Sequence, residues 1–161
     1  MRKPSLFLNQ IICTASDYMI TKKKVMRKFV RAVWVFNWFN SCGFTELCPV
    51  VGSRWDMERF GMKAVNSPRK ADALFIAGYQ TPKSIKRAQQ IYEQMPNPKF
   101  VFALGACTLT GGMYWDSYNT IKRLEDYLPV FMYIPGCPPR PEAIYDAVFK
   151  VLEHVEELPD K

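Results

Sequence analysis

A chain of 161 residues that is 48% hydrophobic and 14% aromatic can close one sizeable core, and its length argues for a single globular domain. Its net charge of +7 invites nucleic acid, anionic lipid or an acidic partner. No apolar run approaches the roughly 20 residues needed to span a bilayer, so the chain is not expected to cross a membrane by itself.

The first residues do not run from basic to apolar to small as a secretion signal would. With five cysteines and one histidine, a reducing, cytoplasmic setting is expected, where cysteines more often bind metals or do redox chemistry than form disulfides. Residues 1–31 read as an N-terminal basic extension: Arg2, Lys3, Lys22, Lys23, Lys24, Arg27, Lys28 and Arg31 face only Asp17. It is expected to include a helix that docks on a neighbour. Without a zinc-finger or RNA-binding aromatic motif, nucleic acid ranks below a partner protein at a membrane surface; a solvated extension is the plain alternative. Cys13 reads as an ordinary small apolar side chain.

Residues 32–161 read as one α/β domain. Apolar runs at Val33–Phe36, Ala73–Ala77, Phe100–Leu104 and Val130–Ile134 are short enough for strands buried on both faces, and amphipathic stretches separate them. That is the pattern of a parallel sheet of about four strands flanked by helices. A short helix is expected over Arg54–Phe60. A longer one runs from Pro82 to Met95, with Ile85, Ala88, Ile91 and Tyr92 on one face. Another begins near Pro141, with Ile144, Val148, Val151, Leu152 and Val155 as its stripe.

The cysteines fall after the strands. Cys42 and Cys48 lie in the loop Asn40–Pro49 after the first run, Cys107 in Gly105–Gly112 after the third, and Cys137 in Pro135–Pro139 after the fourth. Parallel strands deliver their following loops to one edge, so the four thiols are expected to converge there. Four thiolates suit zinc or an iron–sulfur cluster. Structural zinc usually takes two tight pairs with two to four residues between partners, and no such pair is present, so a cluster is favoured. Gly43, Gly105, Gly111, Gly112 and Gly136 allow main-chain N–H groups to approach it, and Pro135, Pro138 and Pro139 stiffen the last loop. Burial as small hydrophobes is the alternative for these cysteines.

The segments Trp55–Gly61, Ser67–Asp72, Ala77-Gly78, Tyr92–Pro96, Gly105-Ala106-Cys107 and Tyr133-Ile134-Pro135-Gly136-Cys137-Pro138-Pro139 resemble the 20-kilodalton iron–sulfur subunit of respiratory complex I. The likeness runs from about Val33 to Glu156. Small subunits of membrane-bound nickel–iron hydrogenases and of archaeal ferredoxin-dependent complexes share this superfamily. The resemblance implies a flavodoxin-like fold and one [4Fe-4S] cluster ending an electron chain in a membrane-bound, ion-translocating oxidoreductase. The implied partners are a large hydrogenase-like catalytic subunit, a ferredoxin-like iron–sulfur subunit and membrane-arm subunits, with the chain peripheral on the cytoplasmic side and not an enzyme alone.

One departure stands out. Complex I subunits carry two adjacent cysteines in the first loop; aligned on Glu46, Cys42 takes the first position and Gly43 the second. Hydrogenase subunits separate the pair by two residues, which puts Thr45 at the second. Cys48 is therefore expected to supply the fourth ligand beside Cys42, Cys107 and Cys137. Arg54 and Arg59 are candidates for raising the cluster potential, with surface salt-bridging the alternative. Glu46 is a candidate proton relay or subunit contact, or an exposed loop acid, and His154 reads as solvated. A ferredoxin-linked complex is preferred, with quinone, protons or a sulfur compound as acceptor. The competing classes are a flavin-binding electron carrier, for which Ser41–Thr45 makes a poor phosphate loop, and a scaffold that has lost its cluster.

Overall fold

The computed structural model describes residues 32–157, apart from the side chains of Glu46 and of residues 152–157. The basic extension, Cys13, and the side chains of Glu46 and His154 therefore lie outside the described residues.

Five strands form one parallel sheet: β1 (Val33–Phe39), β2 (Met62–Val65), β3 (Ala73–Ala77), β4 (Phe100–Leu104) and β5 (Met132–Ile134). Their order is β2-β1-β3-β4-β5, every neighbour pairing being parallel. This is the flavodoxin-like order, whose direction of winding reverses between β1 and β3. The helices are α1 (Cys42–Val51), α2 (Pro82–Gln94), α3 (Ala106–Thr110) and α4 (Pro141–Glu157).

Alternation along the strands sends side chains to two cores. Val35, Phe75, Ala77, Phe102 and Leu104 face one side, where Leu47 and Val50 of α1 and Ile144 and Val148 of α4 cover them. Leu74, Ile76, Val101 and Ala103 face the other, under Ile85, Ala88 and Ile91 of α2. Pro82 opens α2 at a position where its missing N–H costs nothing. Thr81 and Ser84 close a reciprocal cap, Ser84 N–H donating to Thr81 Oγ1 at 3.1 Å and Thr81 N–H to Ser84 Oγ at 2.9 Å, which satisfies two otherwise orphaned donors.

The sheet has one strand more than the sequence pattern suggested. β2 is an edge strand of four residues whose exposed Lys63 and small Ala64 leave no apolar run to detect. The fourth apolar run narrows to Met132–Ile134, although Phe131 N–H still bonds Val101 O at 2.8 Å. Arg54–Phe60 contracts to a 3-10 turn, Met57–Phe60, set between Asp56 at φ 42° and Gly61 at φ 83°.

The segment expected as a loop over Asn40–Pro49 is instead largely helix α1. Gly43 and Pro49 argue locally against a helix, but Gly43, Leu47 and Val50 at positions i, i+4 and i+7 bury one continuous stripe, and tertiary packing overrides propensity. Tyr145 of α4 ties the end of α1 down by donating its hydroxyl to Val50 O at 3.0 Å.

Candidate metal centre

At the carboxyl edge of the sheet the chain leaves β1, β3, β4 and β5 into four adjacent turns. Three sequence-predicted cysteines meet there: Cys42 from the start of α1, Cys107 from the start of α3, and Cys137 from the turn after β5 line one pocket, together with Met113 and Tyr114. It opens to solvent. Among the described residues no three His, Cys, Asp or Glu side chains gather closely enough to grip a single metal ion.

Each cysteine is held by backbone chemistry specific to its turn. β4 and β5 end side by side, and Gly105 N–H bonds Ile134 O at 2.9 Å while Ala106 N–H bonds Gly136 O at 2.7 Å. Those two bonds lock the Cys107 and Cys137 turns together. Buried Thr108 closes the first turn of α3 by donating to Gly105 O at 2.8 Å. Gly112 returns the chain past Cys107 at φ 51°; a Cβ there would stand 3.0 Å from Cys107 Sγ, so only glycine leaves that sulfur its room.

On the β1 side, Asn40 N–H bonds Ala77 O at 3.2 Å and Gly43 N–H bonds Asn40 O at 2.9 Å, while Asn40 Nδ2 donates to Tyr79 O at 3.2 Å. Ser41 adopts φ 47°, ψ −118° and makes no side-chain cap, an unusual conformation for a residue with a Cβ. Its hydroxyl lies 3.8 Å from Cys42 Sγ. Cys42 thereby becomes the first residue of α1, at the helix end where the aligned peptide dipoles favour negative charge.

Beneath these turns sits a polar hub that the sequence reading passed over. Gln80 is 1% exposed; its Oε1 accepts from Trp38 Nε1 at 3.1 Å and from Ser84 Oγ at 2.8 Å, and its carbonyl accepts from Ile121 N–H at 2.8 Å. It joins β1, the β3 turn, α2 and the segment after α3. Its only sequence signal is a polar residue in the turn after a fully apolar strand, following Gly78 and Tyr79. Met113 and Tyr114 were also missed, and their position two turns beyond Cys107 was the available clue.

The fourth expected ligand is placed elsewhere. Cys48 lies on α1 six residues beyond Cys42, about 9 Å along the axis and roughly 120° around it. It is exposed and does not line the pocket. The expectation of a repositioned loop rested on Asn40–Pro49 being irregular, and helix formation removes that freedom. Thr45, on the same helix, donates its hydroxyl to Cys42 O at 2.6 Å. Arg54 and Arg59 are exposed and lie over the rings of Trp55 and Phe60 at 5.8 and 4.5 Å. Phe60 packs against Tyr145 and Phe149 of α4, so these cations belong to the α4 side rather than to the pocket lining. Glu46 is on α1.

The sequence model of the family described as NADH ubiquinone oxidoreductase, 20 Kd subunit, matches residues 41–151. The NAD(P)H-quinone oxidoreductase subunit K 1 of Gloeobacter violaceus is 50% identical over 121 residues, 74% of this chain and 52% of that protein. The chloroplastic subunit K of Nephroselmis olivacea is 46% identical over 146 residues, 89% of this chain and 62% of that protein. The chain thus spans about half to two thirds of the length of these relatives. Among solved structures, a chain of the membrane-bound sulfane sulfur reductase, an archaeal respiratory membrane complex, superposes with a TM-score of 0.76 at 42% identity, covering 88% of this chain and 76% of that one. An NAD+-reducing [NiFe]-hydrogenase chain shares the fold, with a TM-score of 0.58 at 15% identity, covering 77% of this chain and 93% of that one. Among the described residues no helix is long and apolar enough to cross a membrane.

Proposed function

We propose that this chain, which belongs to the NADH ubiquinone oxidoreductase 20 Kd subunit family, is an electron-transfer subunit of a membrane-bound, complex I-like oxidoreductase, and that Cys42, Cys107 and Cys137 hold one iron–sulfur cluster. The observation that carries this reading is the arrival of three cysteines from three separate strand ends at one pocket. The donor set fits such a group: sulfur is the ligand that clusters take from proteins, and three cysteines line one pocket without closing on a single-ion site. When bound, a cluster supplies a one-electron carrier.

The chain's own residues do the rest. The paired bonds between the β4 and β5 turns fix the separation of Cys107 and Cys137 before any metal arrives, and Gln80 anchors the neighbouring turns. Met113 and Tyr114 cover part of the pocket with apolar and aromatic surface, which lowers the local dielectric and excludes water on that side. Met113 is 67% exposed, Trp115 62% and Tyr118 fully exposed. So large an apolar surface beside a redox pocket suits contact with partner subunits, which would be a larger catalytic subunit, a ferredoxin-like subunit and the membrane arm. In that assembly the chain sits peripherally on the cytoplasmic face and contributes to redox-driven ion translocation. The terminal acceptor, whether quinone, protons or a sulfur compound, is set by the partner's site.

Anaerobic purification of the intact complex, with optical spectra before and after dithionite, tests the assignment. A broad brown absorption that dithionite bleaches, and that weakens when Cys137→Ser is introduced, is expected. The resolved bands of a flavin associated with this subunit would refute it.

A further inference from the structure

The pocket offers three cysteines, and a cubane cluster has four corners. We propose, resting on the cluster reading above, that the fourth iron takes no cysteine from the described residues and instead takes solvent oxygen, so that one corner is labile. Geometry excludes each remaining candidate among the described residues. Cys48 is turned away on a helix whose face toward the sheet is fixed by buried Leu47 and Val50. Bringing its sulfur to the pocket would mean rotating α1 by about a third of a turn. That rotation would expose both residues and break the Tyr145 bond to Val50 O.

α1 also has no room to slide toward the pocket, because Gly43 is already in contact with Ala77: a Cβ at position 43 would lie 2.5 Å from the Ala77 carbonyl carbon. Apart from the three cysteines, the pocket lining offers only the Met113 thioether, a weak donor, and the Tyr114 phenol. The Tyr114 ring is engaged with that of Tyr79 at 4.7 Å. The rim is open, with Cys42 and Cys137 both exposed, so solvent reaches the vacant side.

An iron without a thiolate anchor leaves more readily on oxidation. The step balances as [4Fe-4S]2+ giving [3Fe-4S]+, Fe2+ and one electron, the electron passing to ferricyanide as the oxidant. The test uses the full chain reconstituted anaerobically with iron and sulfide, with iron counting, electron paramagnetic resonance and Mössbauer spectroscopy as readouts. Stoichiometric ferricyanide should lower the iron from about four to about three per chain with sulfide unchanged, and produce the paramagnetic three-iron signal. Adding 57Fe2+ with dithiothreitol should then label a single iron site. Cys48→Ser and Cys13→Ser should behave as the wild type does. A chain that emerges from reconstitution with three irons and regains the fourth only on adding Fe2+ supports the proposal equally. Four irons retained through oxidation would overturn it, as would loss of iron in Cys48→Ser or Cys13→Ser under conditions where the wild type keeps it. A chain with no acid-labile sulfide at all would refute the cluster itself, a distinguishable failure.

Discussion

Replacing Gly43 by alanine sets two physical effects against each other. Gly43 lies in α1, where alanine is favoured over glycine by about 1 kcal/mol through backbone entropy. Against this, the new Cβ would stand 2.5 Å from the Ala77 carbonyl carbon, 2.7 Å from its oxygen and 2.8 Å from its Cβ. Ala77 is fully buried on a strand paired on both sides, so the atoms in the way are backbone that cannot swing aside. Overpacking of this kind costs about 1–3 kcal/mol, and a rigid neighbour places it at the upper end. The net expectation is a loss of about 2 kcal/mol. With a slope of about 2 kcal/mol/M, the urea midpoint of the full chain should fall by about 1 M at unchanged slope. Because the displaced helix carries Cys42 at its first residue, iron retention should fall as well. A variant as stable as the wild type, or more so, would show that propensity governs and that the close approach of α1 to β3 is not as described.

Tyr145→Phe leaves Val50 O without its hydroxyl donor and should cost about 1 kcal/mol, seen as a fall of about 3 °C in a thermal melt. Gln80→Leu strands the Trp38 indole N–H and leaves the Ser84 hydroxyl only Thr81 O as acceptor; a loss of about 2 kcal/mol is expected, with the Trp38 fluorescence altered, and an unchanged urea midpoint would refute the hub. Asp72 accepts Trp34 N–H at 3.1 Å, and its carboxyl is raised above the ordinary 3.8 by partial burial, opposed by that bond. The folded form therefore holds the proton more tightly than the unfolded form, so this group's contribution to stability falls as pH rises from about the unfolded value through the raised one. Asp72→Asn, which keeps the acceptor, should flatten that part of a stability–pH profile; an identical profile would contradict the assignment.

Buried strands and long helices were legible because each is a dense local signal: Ala73–Ala77 and Phe100–Leu104 are strands to the residue, and α2 differs from expectation by one residue at its end. What escaped was structure whose reason lies elsewhere in the chain. β2 exists because β1 needs a neighbour, and α1 exists because Leu47 and Val50 have a sheet to cover. At the site, parallel strand order was enough to bring Cys42, Cys107 and Cys137 to one edge. Cys48 depended on the local shape of the α1 segment, which glycine and proline disguise.

The central claim, that Cys42, Cys107 and Cys137 jointly hold an iron–sulfur cluster, is tested most directly by the iron and acid-labile sulfide content of the full chain with each cysteine replaced by serine in turn. Loss of most iron and sulfide in Cys107→Ser and Cys137→Ser, with a smaller or equal loss in Cys42→Ser and none in Cys48→Ser, is the predicted result. Full iron and sulfide in all three pocket variants would contradict it.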